Sequence, residues 1–175
     1  YSAAQAYEPA AELATLLVDN YGYTAVLTAF DWQDEFTSLT KVEAGEYLPN
    51  SDDAYLGPFS MGIYFEFYEK TYTQLRISTN GYLTLDGVVS EQLIRNLDLP
   101  SDQKPNSIIA PFWDDLVKGS GDLYVAHGNL DGEDFFAVRW DSFSRFTETA
   151  PLTFQVLLFD NGNILFQYGE MNGTL

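Results

Sequence analysis

Three of the five Asn-Gly or Asp-Gly pairs in this chain lie between two short runs of strand-forming residues. They are Asn80-Gly81, Asp131-Gly132 and Asn161-Gly162. A two-residue β-turn of the primed type needs positive φ at both central residues, which asparagine and aspartate tolerate and glycine adopts without steric cost. The pairs therefore predict tight β-hairpins, with primed turns at 80–81 and again at 161–162.

The runs beside these turns have the period of a half-buried strand. In "FFAVRWDSF", Phe136, Val138 and Trp140 fall on one face and alternate with Ala137, Arg139 and Asp141. Apolar residues make up 46% of the 175-residue chain, and the abundant Tyr and Phe favour pleated sheets. We predict an all-β protein, an antiparallel β-sandwich of Greek-key or jelly-roll type.

One short helix is predicted within this β-sandwich. In "SEQLIRNLDLP", Ser90 is placed to cap a helix, apolar residues up to Leu97 share one side, and Pro100 stops it. The helix is therefore expected over residues 90–97.

Residues 1–18 differ in composition from residues 19–175, which we expect to form a single domain. The first segment is rich in alanine and ends in an apolar group, Leu13, Leu16, Leu17 and Val18. It is predicted to be an N-terminal extension, either a short helix after Pro9 or a first strand.

The charge balance excludes one class of partner. The chain carries 26 acidic and 8 basic residues, a net charge of −18. Such a chain repels phosphate backbones and anionic lipid headgroups, so nucleic acid is not an expected partner. No apolar run is long enough to insert into a membrane. The excess carboxylates fit either a soluble surface or the binding of divalent cations.

The sequence offers no catalytic set. His127 is the only histidine, at the end of a predicted strand, and nothing in the sequence places a serine or aspartate near it. Carboxylate pairs such as Asp52-Asp53 are plentiful, but a glycosidase needs two carboxylates across a cleft with one held protonated. We therefore predict that the chain is not an enzyme.

Two acidic segments are candidate calcium sites, because calcium takes oxygen ligands, usually in loops. Asp114 and Asp115 follow "APFW" at a predicted strand end, and Asp131, Glu133 and Asp134 crowd one turn. Neither segment has the spacing of an EF-hand loop. The alternative is a solvated acidic loop without an ion.

Aromatic residues suggest a second kind of site. Trp113 and Trp140 lie in apolar or alternating runs and are expected in the core. Trp32 is flanked by polar residues and lies near Tyr21 and Tyr23 in sequence. These three residues are the predicted glycan-binding patch if the chain binds carbohydrate.

Six segments in this order resemble the nidogen-type (NIDO) extracellular domain, and more closely the NIDO-like modules of bacterial secreted and surface proteins. They are "DNYGYTAV", "FEFYEKTYTQLRISTNGYLTL", "NSIIAPFWDDL", "GDLYVAHG", "FFAVRWDSF" and "LTFQVLLFDNGNILFQYGEM", which together span residues 19–171. The resemblance implies an extracellular, non-catalytic β-sandwich used in adhesion or matrix contact, or as an accessory to secreted enzymes. Animal members often carry cysteines around this domain, whereas this chain has none.

The resemblance also suggests how the module acts. Family members continue past the "FQY" strand, so either a final strand is missing here or another segment supplies it. We hypothesise that residues 7–18, with Leu13, Leu16, Leu17 and Val18 as contacts, dock on a neighbouring subunit by β-strand addition. The alternative is that they pack on their own domain. The expected function is thus an extracellular structural or adhesion module that contacts itself or other surface proteins; the alternative is a carbohydrate-binding accessory module.

Overall fold

The computed structural model describes residues 15–42, 52–87 and 106–172. These residues form twelve β-strands, all paired antiparallel, and no helix. The helix predicted at 90–97 lies outside the described residues. The strands are β1 Thr15–Val18, β2 Thr24–Val26, β3 Ser38–Lys41, β4 Tyr55–Phe67, β5 Lys70–Ser78, β6 Tyr82–Thr84, β7 Ile108–Ile109, β8 Leu116–Val117, β9 Asp122–Leu130, β10 Glu133–Arg145, β11 Leu152–Phe159 and β12 Ile164–Met171.

The chain divides into two compact units, residues 1–32 and 33–175. The domain boundary expected after residue 18 stays a prediction. In the first unit, β1 pairs with β2 in a hairpin. The Asp19 carboxylate closes this hairpin by accepting hydrogen bonds from the backbone N–H groups of Tyr21 and Tyr23, at 2.9 and 2.8 Å. Leu16, Leu17 and Val18 therefore belong to a paired strand, while Leu13 lies outside the described residues.

The second unit contains two antiparallel sheets. The larger has the order β12-β11-β10-β9-β3, with β8 paired to the end of β10, and the smaller has the order β4-β5-β6-β7. The two sheets contact each other through Trp140 of β10, whose indole N–H donates to the Ser78 carbonyl of β5 at 3.0 Å. The Trp140 ring also stacks on Phe154, with 5.0 Å between centroids. The predicted all-β sandwich and the core position of Trp140 are confirmed.

The turns divide into two types. At Asp131-Gly132 both residues have positive φ, 53° and 94°, so this hairpin has the predicted two-residue turn. At the other two pairs only Gly81 and Gly162 have positive φ. Both loops have three residues, 79–81 and 160–162, because a type I turn followed by one left-handed residue also suits a twisted hairpin. The two-residue turns predicted at 80–81 and 161–162 were therefore wrong.

A further two-residue turn lies where the sequence gives no turn signal. Phe67 pairs with Lys70, and the two residues between them, Tyr68 and Glu69, have φ of 46° and 63°. Left-handed backbone costs an L-residue with a Cβ roughly 1–2 kcal/mol. The β4–β5 hairpin thus tolerates two unfavourable turn residues where asparagine and glycine would suit the geometry better.

A polar row crosses the face of the larger sheet that points away from Trp140. Arg139, Gln155 and Gln167 are neighbours on β10, β11 and β12. Arg139 donates to Gln155 at 2.8 Å, and Gln155 donates to Gln167 at 2.7 Å. The Gln33 carbonyl accepts from Arg139 and from Gln155, at 3.0 and 2.9 Å. The row thereby fixes the backbone at Gln33 on this face.

An apolar cluster lies beside the polar row. It consists of Ala126, Phe135, Ala137, Leu157 and Phe159. Phe36 packs against it, with its ring edge-on to Phe135 at 6.2 Å and beneath the Arg139 guanidinium at 5.0 Å. The larger sheet therefore buries apolar side chains on both of its faces.

Candidate functional site

A buried asparagine ties together two acidic segments of the second unit. Asn80 is almost fully buried, and its side-chain N–H donates to the Asp53 carboxylate at 2.9 Å. Its side-chain oxygen accepts from the Leu116 backbone N–H at 2.8 Å. One amide thus positions the segment before β4 and the segment before β8.

Three carboxylates meet at this point, and we call Asp52, Asp53 and Asp115 the carboxylate trio. One oxygen from each lies within 4.8 Å of the others. One oxygen of Asp52, Oδ1, is buried and accepts no hydrogen bond from the residues that the structure describes. Clustered carboxylate oxygens are the ligand type that Ca²⁺ prefers. The trio is the group of described side chains best suited to hold a cation.

Burial and like charge act together on Asp52. Desolvation, followed by the negative charges of Asp53 and Asp115, raises the pKa of the Asp52 carboxyl above its ordinary value of 3.8. A raised carboxyl pKa means that the ionised form is less favourable in the folded protein than in the unfolded chain. A bound cation would offset this by neutralising the shared charge.

The structure separates the five residues predicted as calcium ligands. Only Asp115 belongs to the carboxylate trio. Asp114, its neighbour, forms an ion pair with Arg145 at 2.6 Å. Arg145 also lies over the Phe112 ring, at 5.3 Å from the centroid, so Asp114 serves to orient this arginine.

The other three predicted ligands lie at the β9–β10 turn. β10 runs from Glu133 to Arg145, so this turn and the trio are roughly 40 Å apart along the strand at about 3.3 Å per residue. Asp134 accepts from the Asn129 amide at 2.7 Å. A hydrogen bond to Asp160 raises the pKa of Glu133. Asp131, Glu133 and Asp134 thus form a separate acidic group.

His127 lies within β9 and not at its end, which corrects its predicted position. Its Nδ1 is 3.2 Å from the Ser38 hydroxyl, a proximity created by the pairing of β3 with β9. Its ring packs edge-on against Phe136 at 5.2 Å. A Cβ at Gly62 would lie 3.3 Å from Nε2, so the backbone of β4 faces this nitrogen. Among the described residues, no carboxylate hydrogen-bonds to the ring to complete a triad.

The predicted aromatic residues lie in different settings. Trp113 is half-buried against Tyr82 at 4.9 Å, and its indole N–H is buried without a hydrogen-bond partner in the described part of the chain. In the first unit, Tyr21 is 70% exposed, while Tyr23 and Trp32 are half-buried. The Trp32 ring lies 6.3 Å from Phe30. That glycans bind at Trp32, Tyr21 and Tyr23 stays a prediction.

The carboxylate trio could not be predicted from the sequence because its members are distant in the chain. Asp52 and Asp53 form a visible pair, but only the tertiary fold brings Asp115 to them. The available signal was Asn80, a buried polar residue in a loop, which sequence alone does not distinguish from an ordinary turn residue.

In the described residues, no helix is both long and apolar enough to cross a membrane. No curated protein and no solved structure matches the chain. The family model described as NIDO related matches residues 20–175. Domains of this type are typically extracellular and non-enzymatic, which agrees with the resemblance carried by the strand motifs. The chain therefore belongs to the NIDO-related family.

Proposed function

We propose that this chain is a non-catalytic extracellular structural or adhesion module, joined to other surface proteins or to further copies of itself by β-strand addition. Family membership supports the type of module. The observation that carries the finer proposal is the edge of the larger sheet.

β12 is the last strand of that sheet in the described part of the chain. It is eight residues long, and Phe166 and Tyr168 on it are each 42% exposed. A strand at a sheet edge presents unpaired backbone N–H and C=O groups, which can pair with a strand of another chain. Exposed aromatic side chains beside such an edge add apolar contact to the backbone hydrogen bonds.

The first unit offers apolar contacts of its own. Val18 and Leu27 are 67% and 64% exposed, and Val26 is also exposed. Small folded units rarely leave so many apolar side chains in water without a partner. This supports the hypothesis that the N-terminal segment docks on a neighbouring subunit.

The first test is the molar mass in solution, measured by size-exclusion chromatography with light scattering over a range of protein concentrations. We expect species larger than one chain. Phe166→Lys places a charge at the β12 edge and should lower the mass towards one chain, as should deletion of residues 1–18. Phe146→Lys is the control, because Phe146 is exposed and lies in the connection between β10 and β11, outside β12.

The outcomes distinguish which segments make the contact between chains, and whether the module assembles or binds carbohydrate. An unchanged mass after the deletion would remove residues 1–18 from the contact, and an unchanged mass in Phe166→Lys would remove the β12 edge. A monomer at every concentration whose Trp32 fluorescence is quenched by a polysaccharide would replace assembly with the alternative, a carbohydrate-binding accessory module.

We further propose that Ca²⁺ binds the carboxylate trio as a structural ion. The buried Asp52 oxygen without a hydrogen-bond partner favours this, because such an oxygen is costly unless a cation compensates it. The ion would hold the segment before β4 against the segment before β8, as Asn80 already does. No catalytic step is assigned to it.

Asp52→Asn tests this proposal by its effect on thermal unfolding. In EDTA the variant is expected to unfold at a higher temperature than the parent at pH 7 and at the same temperature below pH 3.8, the ordinary pKa of the group. The sign follows from linkage: because the folded state binds the Asp52 proton more tightly, parent stability falls as pH rises from 3.8 through the raised pKa. With Ca²⁺ the order reverses, because only the parent gains stability from the ion.

Two controls complete this measurement. Asp131→Asn removes a carboxylate of the other acidic group and should leave the calcium response intact. Glu69→Gln removes one exposed negative charge at the opposite end of β4 from the carboxylate trio and controls for net charge. A calcium response that survives in Asp52→Asn but disappears in Asp131→Asn would move the ion to the β9–β10 turn.

A further inference from the structure

Three hairpin tips of the second unit lie together at one end of the sandwich. They are Tyr68-Glu69 between β4 and β5, Asp131-Gly132 between β9 and β10, and residues 160–162 between β11 and β12. The Asp160 N–H donates to the Asp134 carbonyl at 3.0 Å, which joins two of the tips. A Cβ at Gly162 would lie 3.6 Å from the Glu66 carbonyl oxygen, so the β4–β5 tip lies close to the β11–β12 tip.

The β4–β5 tip differs from the other two in its turn chemistry. The other tips place glycine at a left-handed position, Gly132 or Gly162, whereas this tip has Tyr68 and Glu69 at φ of 46° and 63°. Residues held in unfavourable backbone regions concentrate where a protein makes functional contacts. Asparagine and glycine would suit the fold better, so the geometry of the turn does not explain why Tyr68 and Glu69 occupy these positions.

Two exposed tyrosines lie on this hairpin, Tyr68 in the turn and Tyr64 four residues earlier on β4, and we call them the tyrosine pair. Their exposed fractions are 75% and 42%. Tyr68 packs edge-on against Phe67 at 4.5 Å, which restrains its ring while leaving part of it in water. Restrained aromatic rings at a surface make contacts at a low entropic cost.

The charge around the tyrosine pair has one sign. The three tips and the strand ends beside them carry an acidic rim, which consists of Glu66, Glu69, Asp131, Glu133, Asp134 and Asp160. Lys70 is the one basic residue within residues 66–70, 131–134 and 160–162. A hydrogen bond to Asp160, followed by desolvation and by repulsion from Asp160 and Asp134, raises the pKa of the Glu133 carboxyl. A positively charged partner would relieve that repulsion.

We propose that this end of the sandwich docks a cationic protein segment, rich in lysine and arginine, with its basic side chains on the faces of the tyrosine pair and against the acidic rim. Tyrosine faces attract ammonium and guanidinium groups, and carboxylates pair with the same groups. Charge complementarity selects this partner: the surface repels anionic ones, and tyrosine rings add nothing to the binding of a small metal ion. The proposal rests on the proposed function only in that the module works by contact, and it uses a surface other than β12.

The test measures the affinity of a fluorescent Lys/Arg-rich peptide of twelve residues by anisotropy at two salt concentrations. The protein is the full chain carrying Phe166→Lys, so a failure of edge assembly does not affect the readout. Tyr64→Ala with Tyr68→Ala changes no charge and is expected to weaken binding about tenfold, the combined effect of two cation–π contacts. Glu66→Gln with Glu69→Gln should weaken binding similarly and reduce its salt dependence.

Matched variants separate recognition from net charge and from folding. Glu35→Gln with Glu170→Gln removes two exposed charges elsewhere and should change the affinity less than about twofold, as expected of distant, screened charges. Tyr68→Asn with Glu69→Gly gives the turn its preferred residues, so it should unfold at a higher temperature yet bind the peptide more weakly. Weaker binding in a variant that unfolds at a higher temperature cannot result from a damaged fold.

Three results would overturn the proposal. Equal losses in the tip and control pairs would mean that the peptide senses only net charge. Unchanged affinity in the tyrosine variant would remove the tyrosine pair from the contact. Binding of a neutral polysaccharide in place of the peptide, lost in the same tyrosine variant, would assign this end to carbohydrate.

Discussion

Trp140→Ala is expected to lower the free energy of unfolding by about 3–5 kcal/mol, the usual cost of removing a large buried aromatic side chain. Trp140 is fully buried, stacks on Phe154 and supplies a hydrogen bond that crosses from one sheet to the other. Its loss leaves a cavity between the sheets and leaves the Ser78 carbonyl without that donor. Urea unfolding followed by far-UV circular dichroism measures the change.

Two further variants divide that effect into parts. Trp140→Phe keeps most of the ring contact but removes the indole N–H, and it should cost about 1–3 kcal/mol, the penalty for an unsatisfied buried acceptor. Phe146→Ala removes an aromatic side chain that is 60% exposed and should cost far less. If Trp140→Phe were as stable as the parent, the hydrogen bond to Ser78 would not help to hold the sheets together.

Gly81→Ala is expected to destabilise the second unit by about 3 kcal/mol or more, from left-handed strain together with overpacking. Gly81 has φ of +77°, and a Cβ there would overlap the Phe112 carbonyl. Because that neighbour is backbone, the segment from Phe112 towards Asp115 would have to move away from Asn80. The same urea titration measures the loss, and calcium-dependent stabilisation should weaken with it.

Gly87→Ala is the matched control for this substitution. Gly87 has φ of +71°, but a Cβ there would meet none of the residues that the structure describes within 4 Å. It therefore carries the backbone strain without the overlap, and it should cost only about 1–2 kcal/mol. Equal costs at the two positions would mean that the close approach of Phe112 to Gly81 contributes nothing to stability.

Much of the architecture could be predicted from local signals. The period-2 run through Phe136, Val138 and Trp140 identified a core-facing strand, because alternation fixes which side chains share a face. Glycine after asparagine or aspartate located three loops correctly. It did not fix their lengths, since Gly81 and Gly162 serve a three-residue loop as well as a two-residue one.

The candidate site could not be predicted in the same way. The carboxylate trio joins Asp115 to a pair more than sixty residues earlier, and such a contact leaves no local pattern. The Tyr68-Glu69 turn was also missed, because neither residue favours positive φ. Sequence reasoning failed at the places where local preference and tertiary structure disagree, which are the places where functional contacts are expected.

The pairing of β3 with β9 affects the order in which the larger sheet forms as the chain is synthesised. Ser38 lies opposite His127, so the two partners are separated by about half of the chain. During synthesis on a ribosome, the residues of β3 emerge long before those of β9, so β3 at first has no strand to pair with. Closing so long a loop is entropically unfavourable and slow, so the β3 edge should be among the last parts of the larger sheet to form. Until then the apolar cluster under Phe36 is open, and the newly made chain is more prone to aggregate than the finished one.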